Sequence, residues 1–219
     1  MGFREQGYLF LASDEGRAAL GENHRRQVSL DAAVAFLEPG DLKSRFPWLN
    51  IEDIAAGTLG VRGEGWFDPA ALLHGLQRKA RSHGVEYLRD EIVGVEVQDR
   101  IARSVQLRDG GTVACGALVN AAGPYAGRIA ALAGCELPVR PRKRMTYVFD
   151  CRIDPSEPSL AAAPLTIDPS GVTFRPEGPR FIAIGPDPAH DPDSFDLELD
   201  TKAFETVIWP ALARRVPAF

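Results

Sequence analysis

The chain has 219 residues, with 25 Lys and Arg against 30 Asp and Glu, and its formal charge of -5 excludes a basic nucleic-acid binder. Hydrophobic residues make up 45% and charged residues 25%, the composition of a soluble globular protein, and no apolar run approaches the ~18 residues a membrane-spanning helix requires. The 21 Gly and 17 Pro predict many turns and loops in place of a helical bundle.

The opening Met1-Gly2-Phe3-Arg4-Glu5-Gln6-Gly7 has no basic segment followed by an apolar stretch. No secretory signal is expected, and the expected compartment is the cytoplasm. Cys115, Cys135 and Cys151 are an odd set with no C-x-x-C spacing and no His close in sequence. They read as reduced, mostly buried small side chains without a metal or redox role.

Gly7 to Ala12 alternates as a strand does, and the charged stretch 14 to 26 suits a helix. Val34 to Leu37 reads as a second strand closed by Pro39-Gly40, and Asp41 is placed to cap a brief helix through Arg45. Phe67 to Gly84 carries the clearest local signal. Asp68 is a natural N-cap, Pro69 fits the first helical position, and Gly84 supplies a left-handed stop. Leu72, Leu73, Leu76 and Ala80 share one stripe, which predicts packing of this helix on a sheet.

Val85 to Leu88, Ile92 to Val97, Ser104 to Leu107 and Thr112 to Ala114 alternate with period two, and Asp109-Gly110-Gly111 marks a turn. A three-stranded antiparallel meander is expected. Ala117 to Ala122 is nearly continuous in apolar or small residues, as in a parallel strand buried on both faces. Tyr125 to Ala133 reads as a short helix with Ile129, Leu132 and Ala133 inward. From Leu137 onward prolines, including Pro138, Pro155, Pro186, Pro188 and Pro192, punctuate short strands at Met145 to Phe149, Gly171 to Phe174 and Arg180 to Ile184. Thr201 to Ala213 is a last helix that Pro210 must kink or divide.

Gly7-Tyr8-Leu9-Phe10-Leu11-Ala12, Gly65-Trp66-Phe67-Asp68-Pro69, Gly84-Val85-Glu86-Tyr87 and Val119-Asn120-Ala121-Ala122-Gly123-Pro124-Tyr125-Ala126 occur in that order, followed by Leu137-Pro138-Val139-Arg140-Pro141. Together they resemble the FAD-dependent oxidoreductases of the D-amino-acid oxidase, sarcosine oxidase and glycine oxidase group. The resemblance implies an α/β fold with α+β character, in which a partial Rossmann-like FAD-binding domain is interleaved with a mixed-sheet substrate domain. It assigns residues 1–60 and 137–219 to the substrate domain and 61–136 to the FAD domain. No G-x-G-x-x-G occurs; the nearest glycines, Gly57 with Gly60 and Gly63 with Gly65, have the wrong spacing for a pyrophosphate cradle. The chain reads as the middle of such an enzyme.

By the same resemblance FAD is the cofactor and a small amine or amino acid the substrate, oxidised by hydride transfer in a deamination or demethylation. Ile92 or Val93 would lie beside the adenine, and Ala121, Ala122, Gly123, Pro124 and Tyr125 would pass close to the cofactor. Arg140, Arg142, Lys143 and Arg144 form the densest basic run, suited to a flavin or a carboxylate but equally to a solvated linker. Tyr147 and Arg175 are the types that would orient an amine and hold a carboxylate. His24, His74, His83 and His190 have no spacing that suggests a hydrolase triad or a metal site. The alternative is a flavin-free truncated domain acting as a binding module, with Ala117 to Ala121 as an apolar edge open to self-association.

Overall fold

Tyr8–Ala12 forms β1, the strand around which the larger sheet is built. The computed structural model describes residues 2–151, 158–185 and 193–219, so Pro155, Pro186, Pro188, Pro192 and His190 lie outside the described residues. After β1 come α1 (Asp14–Ser29), β2 (Val34–Leu37), α2 (Pro39–Arg45), β3 (Ala56–Gly60), α3 (Pro69–Ser82), β4 (Ile92–Gln98), β5 (Ile101–Leu107), β6 (Thr112–Ala114) and α4 (Ala126–Leu132). Then follow β7 (Thr146–Phe149), α5 (Pro158–Ala161), β8 (Leu165–Ile167), β9 (Thr173–Glu177), β10 (Arg180–Ile184) and α6 (Trp209–Arg215). The described residues fall into two compact units, one drawn from 1–75, 144–191 and 198–219, the other from 76–143 and 192–197.

The first unit is a mixed seven-stranded sheet in the order β2-β3-β1-β8-β9-β10-β7, antiparallel except for the β1–β8 pair. Register puts Leu59, Leu9, Thr166, Phe174, Ala183 and Tyr147 in one row. That row faces the core, where Leu42, Leu49, Leu160, Ile208 and Leu212 are buried against it. The next row, Thr58, Phe10, Ile167, Thr173, Ile184 and Thr146, faces the other way because successive side chains alternate. On this second face α1 covers β1, β2 and β3, with its His24 ring 5.5 Å from Phe36. The β8, β9, β10 and β7 part keeps half-buried and exposed side chains, Val148 among them.

The second unit holds the expected meander, β4-β5-β6. Its first hairpin turns at Asp99 and Arg100, with φ of 51° and 63°, the left-handed pair that matches strand twist.

Several local expectations are corrected. Pro39-Gly40 opens α2 instead of closing β2: Glu38 is the N-cap, and Asp41 at the third position completes a capping box. Asp68 does cap α3, its Oδ1 accepting from the amides of Ala70 and Ala71 at 2.9 and 3.0 Å. Yet α3 buries no residue, and Leu73 and Leu76 stay exposed, because no strand among the described residues packs extensively on its apolar stripe. Val85 to Leu88 and Ala117 to Ala122 form no strand, since neither finds a ladder partner among the described residues. In α4 the buried residue is Ala126 while Leu132 is exposed. None of the three cysteines is buried. Phe204–Ile208 widens into a π-helical turn before α6, so Pro210 divides the last helix by falling in a first turn, where its missing N–H leaves no bond broken.

Candidate functional site

In the second unit, β4 and α4 bound a cleft of about 680 Å³ lined by Glu91, Ile92, Val93, Tyr125, Arg128, Ile129 and Leu132. The volume lies in the range of small-molecule sites. Strand residues Ile92 and Val93 meet the helix residues Ile129 and Leu132 there, giving an apolar cleft with two charged groups. Glu91 is paired with Arg108 at 2.7 Å, and that hydrogen bond and charge hold its carboxyl below the usual range. Tyr125 stacks on Phe195 with ring centroids 4.4 Å apart, and the Arg128 guanidinium lies 4.1 Å from the Phe195 centroid. Phe195 carries no sequence signal of its own; only the fold returns it to this helix.

Ile92, Val93 and Tyr125 are thus brought together in one cleft. Pro124 lines a neighbouring groove with Arg128, Leu137, Pro138 and Arg140. Ala121, Ala122 and Gly123 line neither; Asn120 holds their turn by accepting from the Ala122 amide and donating to the Ala126 carbonyl. In the basic run, Arg140 and Arg142 pair with Asp193 at 3.6 and 3.8 Å, and Lys143 with Asp196 at 2.8 Å. His24 Nε2 lies 3.1 Å from the Val34 carbonyl, and His74 and His83 are exposed on or beside α3.

In the first unit, Tyr147 and Arg175 do not meet. Tyr147 belongs to the core row, donates its hydroxyl to the Asp200 carbonyl at 2.8 Å, and packs on Phe204. Arg175 is opposite Ile182 on the other face, with its guanidinium 5.0 Å over the Trp66 ring. Trp66 is fixed by a two-way backbone bridge to Arg4, at 2.7 and 3.1 Å. Gly65 permits that approach, since a Cβ there would stand 1.9 Å from the Arg4 carbonyl oxygen. Arg175 Nη1 donates to the Pro176 carbonyl and to Glu177, and its Nε and Nη2 have no partner among the described residues. An Arg edge with two free parallel N–H groups is the geometry that grips a carboxylate.

The family described as DAO, FAD-dependent oxidoreductase, matches residues 1–219. The chain belongs to that family. It is 38% identical over 252 residues to FAD-dependent oxidoreductase domain-containing protein 1 of Bos taurus, covering 99% of this chain and 50% of the relative. The chain therefore spans about half the length of the curated relatives of this name that it matches. In fold it is similar to L-proline dehydrogenase of P. horikoshii, with TM-score 0.83, 22% identity, and 99% and 57% of the two chains covered. Glycine oxidase of Geobacillus kaustophilus gives TM-score 0.77 at 22% identity, with 99% and 56% covered.

DAO-family proteins are FAD-dependent. The chain's own residues fit one end of that dinucleotide. The apolar cleft with Tyr125 and Arg128 suits a flat base and its ribose. A pyrophosphate needs free amides at a glycine-rich turn into a helix. The starts of α1, α2 and α3 carry Asp14 and Glu15, Glu38 and Asp41, and Asp68, whose negative charge opposes a second anion. The start of α4 carries no acidic residue, but it follows the single Gly123 and not a glycine-rich turn out of a strand. Among the described residues no helix start has the glycine-rich turn that a pyrophosphate needs.

Proposed function

We propose that this chain is the substrate-facing half of a FAD-dependent enzyme that oxidises a small amine or amino acid, and that the carboxylate of the substrate binds Arg175. The observation that carries this reading is the free Nε and Nη2 edge of Arg175, held over Trp66 on the sheet face opposite the core with 17% of its side chain exposed. The cleft of Ile92, Val93, Tyr125 and Arg128 holds the adenosine end of the cofactor in this reading. When bound, FAD supplies the acceptor for a hydride from the carbon beside the amine nitrogen. The chain's residues bind and orient: Arg175 fixes the carboxylate while its guanidinium stays stacked over Trp66. The similarity to a glycine oxidase and a proline dehydrogenase in fold supports an amine substrate and leaves its identity to experiment.

The test is isothermal titration of the chain with glycine, proline or sarcosine. Saturable binding of at least one of them, lost in Arg175→Gln, is the expected result. Binding that survives Arg175→Gln, or no binding to the unmodified chain, contradicts the assignment of the carboxylate site.

A second reading, a flavin-free module that self-associates, is supported by the apolar run at Ala117 to Ala121, where Val119 is 85% exposed. A concentration-dependent dimer that Val119→Lys abolishes, in a protein that retains no flavin, would favour it.

A further inference from the structure

In the first unit, the last turns of α1 and the strands beneath them bound a second cleft, of about 360 Å³, at the small end of small-molecule sites. Leu20, Asn23 and Gln27 lie on one stripe of α1 and, with Leu30 just past its end, form the wall. Phe10 of β1 and Thr58 of β3, in register with each other, form the floor. Among the described residues, the one charged side chain that lines the cleft is Arg26.

Two of these groups lack partners. Thr58 is 4% exposed, yet its hydroxyl makes no hydrogen bond with any described residue. The Arg26 guanidinium meets no carboxylate, carbonyl or ring among the described residues, although Glu22 stands one turn earlier on α1. Buried polar groups are paired as a rule, so the Thr58 hydroxyl at the foot of a cleft is a place for a ligand oxygen. The unpaired guanidinium is a place for an anion. The helix end does not oppose one: the Gln27 and Val28 carbonyls are taken by the amides of Leu30, Asp31 and Ala32, and the Arg26 carbonyl by the Ser29 hydroxyl. The rest of the surface is largely apolar, and exposed Phe10 and Leu30 would both shed water beneath a bound hydrocarbon chain.

We propose that this cleft binds a small organic carboxylate that carries a second oxygen function, an oxo or hydroxy acid. Arg26 holds the carboxylate, the Thr58 hydroxyl donates to the second oxygen, and the hydrocarbon part lies on Phe10 and Leu20. The site uses neither Arg175 nor the cleft of β4 and α4, so its test stands apart from the substrate reading.

The experiment titrates the whole chain with levulinate, pentanoate and methyl propyl ketone in separate series, reading the methyl peaks of Leu20, Leu30 and Thr58 by nuclear magnetic resonance. Levulinate is expected to shift them saturably. It should bind about threefold more tightly than pentanoate, which lacks the acceptor for Thr58, and about tenfold more tightly than the ketone, which lacks the carboxylate. Thr58→Val keeps the shape of the side chain and should erase the first preference; Arg26→Gln, at an exposed position, should erase the second. Methyl peaks that none of the three compounds moves overturn the site. Equal affinities in the unmodified chain, or a preference that persists in the variant meant to erase it, overturn the roles of Thr58 and Arg26 and the proposal with them.

Discussion

Tyr147 and Arg175 point to opposite faces of the same sheet, Tyr147 inward to the Asp200 carbonyl and Arg175 outward over Trp66. Their substitutions are expected to differ in carboxylate binding. Tyr147→Phe removes one half-buried hydrogen bond and should lower stability by about 1 kcal/mol without changing carboxylate affinity. Arg175→Gln should abolish carboxylate binding, and because its side chain is only 17% exposed and packs over Trp66 it should also lower the urea midpoint. Urea unfolding and ligand titration of both variants check this.

Arg215 is 2% exposed and is gripped from three sides. Its Nε donates to Asp168 Oδ2 at 2.5 Å, Nη2 pairs with Asp53 Oδ1 at 2.9 Å, and Nη1 donates to the Asn50 carbonyl. The network ties α6 to the turn after β8 and to the loop before β3. Arg215→Ala leaves buried Asp168 without its cation and should cost about 3–5 kcal/mol, measured as the loss in unfolding free energy. Asp168→Asn in the same background should recover part of that loss, because the uncompensated charge is then gone.

Asp53 gives this network a pH dependence. Burial raises its carboxyl, but contact with Arg215 and the charges of Arg215 and Arg214 outweigh burial and hold it below the usual carboxylate value. A group depressed in the folded state stabilises the protein above its unfolded value, near pH 4, and loses that contribution as pH falls through the folded one. The stability difference between the unmodified chain and Asp53→Asn should therefore be present at neutral pH and vanish in acid. Thermal unfolding across that range checks the sign; a difference that grows in acid would contradict it.

Arg100 occupies the left-handed region with φ of 63° at the tip of the β4–β5 hairpin. A non-glycine residue there costs roughly 1–2 kcal/mol, and glycine relieves it. Arg100→Gly should raise the thermal midpoint of the unit that contains the hairpin. A lowered midpoint would mean the Arg100 side chain makes a contact worth more than the strain.

Local chemistry made much of the fold legible. Asp68, Pro69 and Gly84 bracket α3 because cap, first-turn proline and left-handed stop act within a few residues. The β4-β5-β6 meander was legible for the same reason, since its partners are neighbours in sequence. What escaped was set by distant partners. Val85 to Leu88 and Ala117 to Ala122 have the composition of strands, yet a strand exists only where another chain segment completes its ladder. The candidate site shows the same division. Ile92 and Tyr125 are named by the family resemblance, and one cleft brings them together. Tyr147 and Arg175 had suitable chemistry, but register alone decides that adjacent rows face opposite ways. Arg128 and Phe195 gave no signal because their places in the cleft arise from which strand or helix lies beside them.

The most direct measurement follows the methyl groups of Ile92, Val93, Ile129 and Leu132 by nuclear magnetic resonance while adenosine monophosphate is added to the chain. The account predicts saturable shifts at these four residues, weakened in Tyr125→Ala and Arg128→Ala. Shifts confined to other methyl groups, or none, would contradict the assignment of this cleft to the adenosine end of the cofactor.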